Sequence, residues 1–287
     1  MPSAPNARVF VRSRLPGAAA LAVLAAVACV PRAPPPDLSL DPVALLAQVR
    51  ETQARVARVQ GQARVHVESP EFTGTVGQFV AAEKPDRLHL EVLDFFGNPV
   101  AVMVAGGGRF ALWDSRSKTF YRGAPTAANV ARIVPLAIRP EDLVTILCGS
   151  APLLSGAPDG AEPGRGIVRL ALRAGRVAQR LDVAAGAAIA ASRTAADDSA
   201  SLDLQFEAFH LDEGTRFPHE VTLQARPARV RLELSWREVS LNGALDPRLF
   251  RLDPPKGAKI VELPGAEAEA APVGRPAVPA SSGGPDG

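Results

Sequence analysis

Few residues in this sequence have the types and spacing that carry chemistry. The only two cysteines in 287 residues are Cys29 and Cys148, and if Cys29 is modified no disulfide framework remains. The four histidines, His66, His89, His210 and His219, each fall on or at the end of an expected strand. None belongs to an H-E-x-x-H pattern or has a cysteine partner, so no metal site is assigned. Asp197-Asp198 pairs two carboxylates in a stretch that reads as a turn, where solvated acids are far commoner than catalytic ones. Gly106-Gly107-Gly108 would suit a phosphate cradle only with a G-x-x-x-x-G-K-[ST] continuation. A strand follows instead, and the three glycines read as a hairpin turn. No G-x-S-x-G elbow occurs. These residues give no catalytic group, no metal and no cofactor, and the chain is not expected to be an enzyme.

Cys29 stands apart because of what precedes it. Arg8, Arg12 and Arg14 are followed by small and aliphatic residues from Gly17 to Ala28, the charge-then-apolar order of a secretory signal. The run is shorter than the roughly 20 apolar residues a membrane-spanning helix needs. It closes on Ala26-Val27-Ala28-Cys29, which resembles a lipobox with alanine where leucine is usual. Residues 1–28 are therefore expected to be a signal peptide, with Cys29 as the lipid-bearing first residue of the mature protein. Val30 rather than aspartate follows it, which directs the expectation to the outer membrane, facing the periplasm. Cys148 lies among Leu143, Val144, Ile146 and Leu147 and reads as a small buried hydrophobe.

The remaining sequence must position any site. With 32 Lys+Arg against 30 Asp+Glu, the net charge of +2 gives no nucleic-acid footprint. Hydrophobic residues make up 47%, enough for a sizeable core in a domain over 39–264. Residues 29–38 are proline-rich and read as a semi-rigid tether, and 265–287 as a tail too poor in large apolar residues to order itself. Asp41 and Pro42 open a helix in which Leu45, Val49, Val56 and Val59 share one face. After Gly61 the period changes to two. Eleven strands are predicted: five between Ala63 and Arg122, and six from Ile167 to Trp236. Between them, Thr126 caps a short helix through Ile133 and Pro140 opens another running to Gly149, with Gly156–Gly166 as a connection. Leu202, Leu204, Phe206 and Ala208 alternate with polar residues, the mark of a sheet with one dry face.

Over about 65 residues the order of parts resembles the LolA/LolB superfamily. The resemblance is carried by Arg87-Leu88-His89-Leu90-Glu91-Val92-Leu93-Asp94-Phe95-Phe96-Gly97-Asn98-Pro99, by Phe120-Tyr121-Arg122-Gly123, and by the helical stretches Asn129 to Ile138 and Pro140 to Gly149. It implies an α+β, mainly β fold: an incomplete antiparallel β-barrel of about eleven strands with an N-terminal helix and a two-helix lid. An apolar cavity would accept acyl chains of lipoproteins or lipids, with Leu88, Leu90, Val92, Leu202, Leu204, Phe206 and Trp236 as lining candidates. LolB-type members pass lipoproteins from a LolA-like periplasmic carrier to the outer membrane without cofactor or bond-making chemistry, and expose an apolar residue on a turn between two strands. Phe95 and Phe96 fall at that place, among the turn formers Asp94, Gly97, Asn98 and Pro99. The expectation is a monomeric, lipid-anchored acyl-chain binder. A non-catalytic scaffold subunit of an envelope complex is the alternative.

Overall fold

The computed structural model describes residues 33–196 and 200–265. Residues 1–28, Cys29, Asp197-Asp198 and all but the first residue of the 265–287 tail lie outside them. Leu38, at the end of the proline-rich stretch, is buried.

Helix α1 spans Pro42–Ala54. The Asp41 carboxylate accepts from the Ala44 amide at 2.8 Å, and Pro42 takes the first helical position, where a missing N–H leaves nothing unpaired. Leu45, Leu46 and Val49 are buried. The helix is shorter than the periodicity predicts: Val56 follows its end, and Val59 is already in the first strand. Thr52, within α1, donates its hydroxyl to the Gly186 carbonyl.

The body is one sheet of fourteen strands: β1 Arg58–Glu68, β2 Thr73–Glu83, β3 Arg87–Leu93, β4 Pro99–Gly106, β5 Arg109–Asp114, β6 Thr119–Gly123, β7 Pro158–Pro163, β8 Val168–Ala174, β9 Val177–Ala184, β10 Ala188–Ala195, β11 Ser201–Asp212, β12 Thr215–Arg226, β13 Val230–Leu241 and β14 Lys259–Glu262. Their order is β14-β6-β5-β4-β3-β2-β1-β13-β12-β11-β10-β9-β8-β7, so the sheet is open, with β14 and β7 at its edges. All neighbours are antiparallel except β14, which joins β6 in parallel. Two meanders meet where β1 pairs with β13.

The expected count of eleven is corrected by three strands. β2 carries Gly74 and Gly77, which weaken its own preference for extended structure, but β1 and β3 bond it from both sides. β7 begins and ends in proline within the stretch expected to be a connection, a composition tolerated because this strand is an edge. β14 has four residues and is held only by β6.

Helix α2 is a single turn, Ala127–Val130, capped by Thr126 as expected but ending before Ile133; α3 spans Pro140–Leu147. The chain between β6 and β7 therefore travels from one flank of the sheet to the other, and α3 packs against β2 and β3 on the way. Helix α1 covers β7, β8 and β10. A 3-10 turn at Pro247–Phe250 lies on β3 and β4, where the Leu249 carbonyl meets His89 Nδ1 at 2.6 Å and Arg87 sits 4.1 Å from the Phe250 ring centre. No helix among the described residues is long and apolar enough to cross a membrane.

Candidate functional site

Strand alternation builds the site. Val65 and Val67 of β1 face the same side, and register sets them beside Leu234 and Leu232 of β13, which lie beside Val221 and Leu223 of β12. Leu90 of β3 joins this wall. Opposite it stand Ile133, Val134 and Pro135 from the chain after α2, and Leu143, Ile146 and Leu147 from α3. Together they bound a cleft of about 650 Å³ counted to its mouth, in which Gln78 is the one polar lining residue. The room inside it is about 70 Å³, well under the roughly 300–1,000 Å³ of small-ligand pockets, because the side chains of α3 and the chain after α2 stand close against the sheet.

A second, wider cleft continues from the first, since Val67, Gln78, Ile133 and Pro135 line both. It holds about 580 Å³ and is polar as well as apolar: Ser69, Glu71, Asp114, Arg116 and Arg132 accompany Phe72, Val92 and Tyr121. The Arg132 guanidinium sits 5.0 Å over the Tyr121 ring.

Of the seven lining residues expected from the sequence, Leu90 lines the apolar cleft and Val92 the wider one. Leu88, Leu204, Phe206 and Trp236 are instead buried inside the packed core, and Leu202 packs at its margin. Alternation identifies the dry face but not which part of it other elements cover. The signal for the missed positions was present, since Val65 and Val67 alternate with Arg64 and His66, and Val221 and Leu223 with Glu220 and Thr222. What makes them cleft residues is the β1–β13 pairing, which periodicity does not reveal.

The turn after β3 displays both phenylalanines. Phe95 is 97% and Phe96 83% exposed, and their rings meet edge to face at 5.6 Å between centres. Such exposure is unfavourable in water and is sustained by the backbone beneath. Asp94 Oδ1 accepts from the Phe96 and Asn98 amides, both at 2.8 Å, while the Asp94 amide donates to the Asn98 carbonyl at 2.9 Å. Gly97 closes the turn at φ +84°, which favours glycine. Amide bonds from Asn98 first, and from Phe96 and Gly97, hold the Asp94 carboxyl below its ordinary pKa. A depressed folded-state pKa means that the turn's order is present above the unfolded value and lost as pH falls through the folded one. Proton NMR of the Phe96 and Asn98 amides should therefore show a transition with a midpoint below the ordinary aspartate range. A midpoint at or above that range would contradict the assignment.

Cys148, the residue after α3, is buried, and burial pushes its thiol up to about 11 despite the nearby Lys84. Lys84 Nζ donates to the Gln53 carbonyl at 2.6 Å, and burial lowers its pKa. Cys148 should not react with an aromatic disulfide reagent at pH 8 in the folded protein and should react at once in denaturant; rapid native reaction would show an accessible thiolate.

The histidines are not all dispersed. His210 and His219 stack with ring centres 4.1 Å apart, and His219 Nε2 is 2.8 Å from Asp212 Oδ2. His89 is buried, with Nε2 2.8 Å from Glu91 Oε1. Among the described residues no group of three acidic, histidine or cysteine side chains could hold a metal ion. Gly106, Gly107 and Gly108 all have positive φ and form the β4–β5 turn, where Asp86 accepts from the Gly107 amide.

The described residues form a large open sheet with few helices and an apolar inner face. The fold is shared with a DUF1329 family protein from Desulfovibrio piger, 12% identical, over 74% of this chain and 98% of that one, with a TM-score of 0.52. Two other similar structures are a LolA superfamily protein, NE2245, from Nitrosomonas europaea (9% identity, 74% and 99% covered, TM-score 0.46) and a candidate outer membrane lipoprotein-sorting domain from Vibrio parahaemolyticus (11%, 71% and 95%, 0.48). No family model and no curated protein matches the chain.

Proposed function

We propose that this protein binds acyl chains, of a lipid or a lipoprotein, in the apolar cleft between β1, β3, β12, β13 and the α2–α3 segment, and performs no bond-making chemistry. The observation that carries this reading is the lining itself, in which only Gln78 is polar. An acyl chain gains about 0.8 kcal/mol for each methylene removed from water and asks for no polar partner. The neighbouring wider cleft, with Arg132, Arg116 and Glu71, gives a polar head a place to remain solvated. In this reading Cys29 carries the lipid that holds the protein at the outer membrane, the Phe95-Phe96 turn is its membrane or cargo contact, and a LolA-like carrier is the upstream partner. The full chain should take up a fluorescent fatty acid, and mass spectrometry should find acyl lipids co-purifying with it. Uptake no greater than that of an unrelated protein of similar size would end the proposal.

One observation favours the scaffold reading instead. Leu143, Val144, Ile146 and Leu147 of α3 are all buried, so the helix already fills much of the dry face. If the cleft is permanently closed by its own helix, no lipid co-purifies and uptake is absent even with detergent-dispersed probe.

A further inference from the structure

The outer face of the sheet, opposite the apolar cleft, carries a trough of its own. Alternation turns Val104 and Ala111 away from Met103 and Leu112, their neighbours in the inner core. Register then sets His89, Val104, Ala111, Arg122 and Glu262 side by side in one row across β3, β4, β5, β6 and β14. In the next row Gly106 stands opposite Arg109. Small or absent side chains therefore leave a hollow along β4 and β5, with Arg109 and Arg122 at its sides.

The chain after β13 forms the other wall. The Leu249 carbonyl is fixed to buried His89, and Phe250 lies against the Arg87 guanidinium. Arg251, Leu252, Asp253 and Pro254 then pass along the hollow before β14 joins β6. The far end of this strap is held by the Lys259 amide on the Lys118 carbonyl at 3.0 Å and by the Leu263 amide on the Arg122 carbonyl at 2.8 Å. Strap and sheet thus enclose a preformed trough with about 410 Å³ of room, inside the roughly 300–1,000 Å³ of small-ligand pockets.

Its chemistry is mixed in a particular way. Val104, Ala111 and buried Phe120 give apolar surface, and Arg109, Arg122 and Arg251 bring three guanidiniums. Arg122 is committed to Glu262, its Nε donating to Oε1 at 2.6 Å. No ion pair among the described residues takes Arg109 or Arg251. The opposing charge left in the lining is Asp253.

We infer that this trough binds a small organic phosphate or carboxylate, with its apolar body on Val104, Ala111 and Phe120 and its oxyanion taken by Arg109 and Arg251. The planar fork of a guanidinium matches an oxyanion through two parallel bonds, which a neutral alcohol cannot offer. A bare inorganic anion would forgo the apolar surface. The site is independent of the acyl-chain cleft, since the sheet lies between them.

The full chain, labelled with nitrogen-15, is titrated with phenyl phosphate and benzoate, and with benzyl alcohol and inorganic phosphate for comparison. The amides of Gly106, Ala111 and Gly123 should shift saturably with the two aromatic anions and little with benzyl alcohol. Arg109→Gln with Arg251→Gln should weaken phenyl phosphate binding about tenfold or more, and Asp253→Asn should strengthen it. Both arginines are exposed, so the melting temperature of the double variant should not move. Inorganic phosphate binding as tightly as phenyl phosphate would mean an adventitious ion only. That result, no saturation with either aromatic anion, or shifts that survive the loss of both arginines would overturn the inference. Fatty-acid uptake by the double variant should equal that of the parent chain; a shared loss would move the anion to the other face of the sheet and overturn the outer site, whereas uptake absent from both with phenyl phosphate still bound would end the acyl-chain reading alone.

Discussion

Gly61→Ala should cost about 3 kcal/mol or more of folding stability, because the methyl group has nowhere to go. A Cβ on Gly61 falls 2.0 Å from the Glu238 carbonyl oxygen and 2.9 Å from its carbon. Both are backbone atoms of β13, at the irregularity where its register with β1 shifts beside Gln62 and Ala63. A side chain could rotate away; a paired strand cannot. For a domain of this size each kcal/mol moves the melting temperature by about 2–4 °C, so thermal unfolding followed by circular dichroism should fall by on the order of 10 °C. A change within about 2 °C would mean that β1 and β13 are not packed this closely. The same substitution at Gly97, where a Cβ meets nothing within 4 Å, should act only through its positive φ and cost far less.

The second large effect concerns binding. Leu234→Trp places an indole at the apolar cleft from a position that is only partly buried, where it competes with any bound chain for the same narrow space. If an acyl chain lies there, the ring displaces about four of its methylenes, each worth about 0.8 kcal/mol, for a loss near 3 kcal/mol or roughly a hundredfold in affinity. Titration of a fluorescent fatty acid measures the loss, and the melting temperature shows that the fold is kept. Affinity unchanged by Leu234→Trp would place the ligand elsewhere.

How much of this was legible depended on how local the signal was. Asp41-Pro42 gave the start of α1 because a cap and a pre-set φ act within one turn. Its end is not legible, because Val56 and Val59 keep the helical spacing by coincidence while belonging to the next segment and to β1. The strands with clean alternation, such as β11 and β13, were readable. β2, β7 and β14 were not, since glycine, proline or brevity removes their pattern and neighbouring strands supply what holds them. The Phe95-Phe96 turn was visible from its turn formers, but that both rings point outward follows from the bonds to Asp94, which no composition reveals. The cleft was the least legible part. Leu204 and Val221 look alike in sequence and both are buried, yet only Val221 also lines the cleft, a difference set by the pairing of β12 with β13 and of β13 with β1.

The seam between β1 and β13 has a consequence for the order of events when this chain is made. Val59 near the beginning must find Leu241 near the end, and the loop closed by that meeting contains almost every other strand. Each meander can form from near neighbours, but the joining of the two waits on a large loss of chain freedom. Until β13 has been synthesised, β1 keeps an unpaired edge with Val65 and Val67 bare. The cleft, built across that seam, is therefore among the last features to exist, and its lining is what an incomplete chain exposes most.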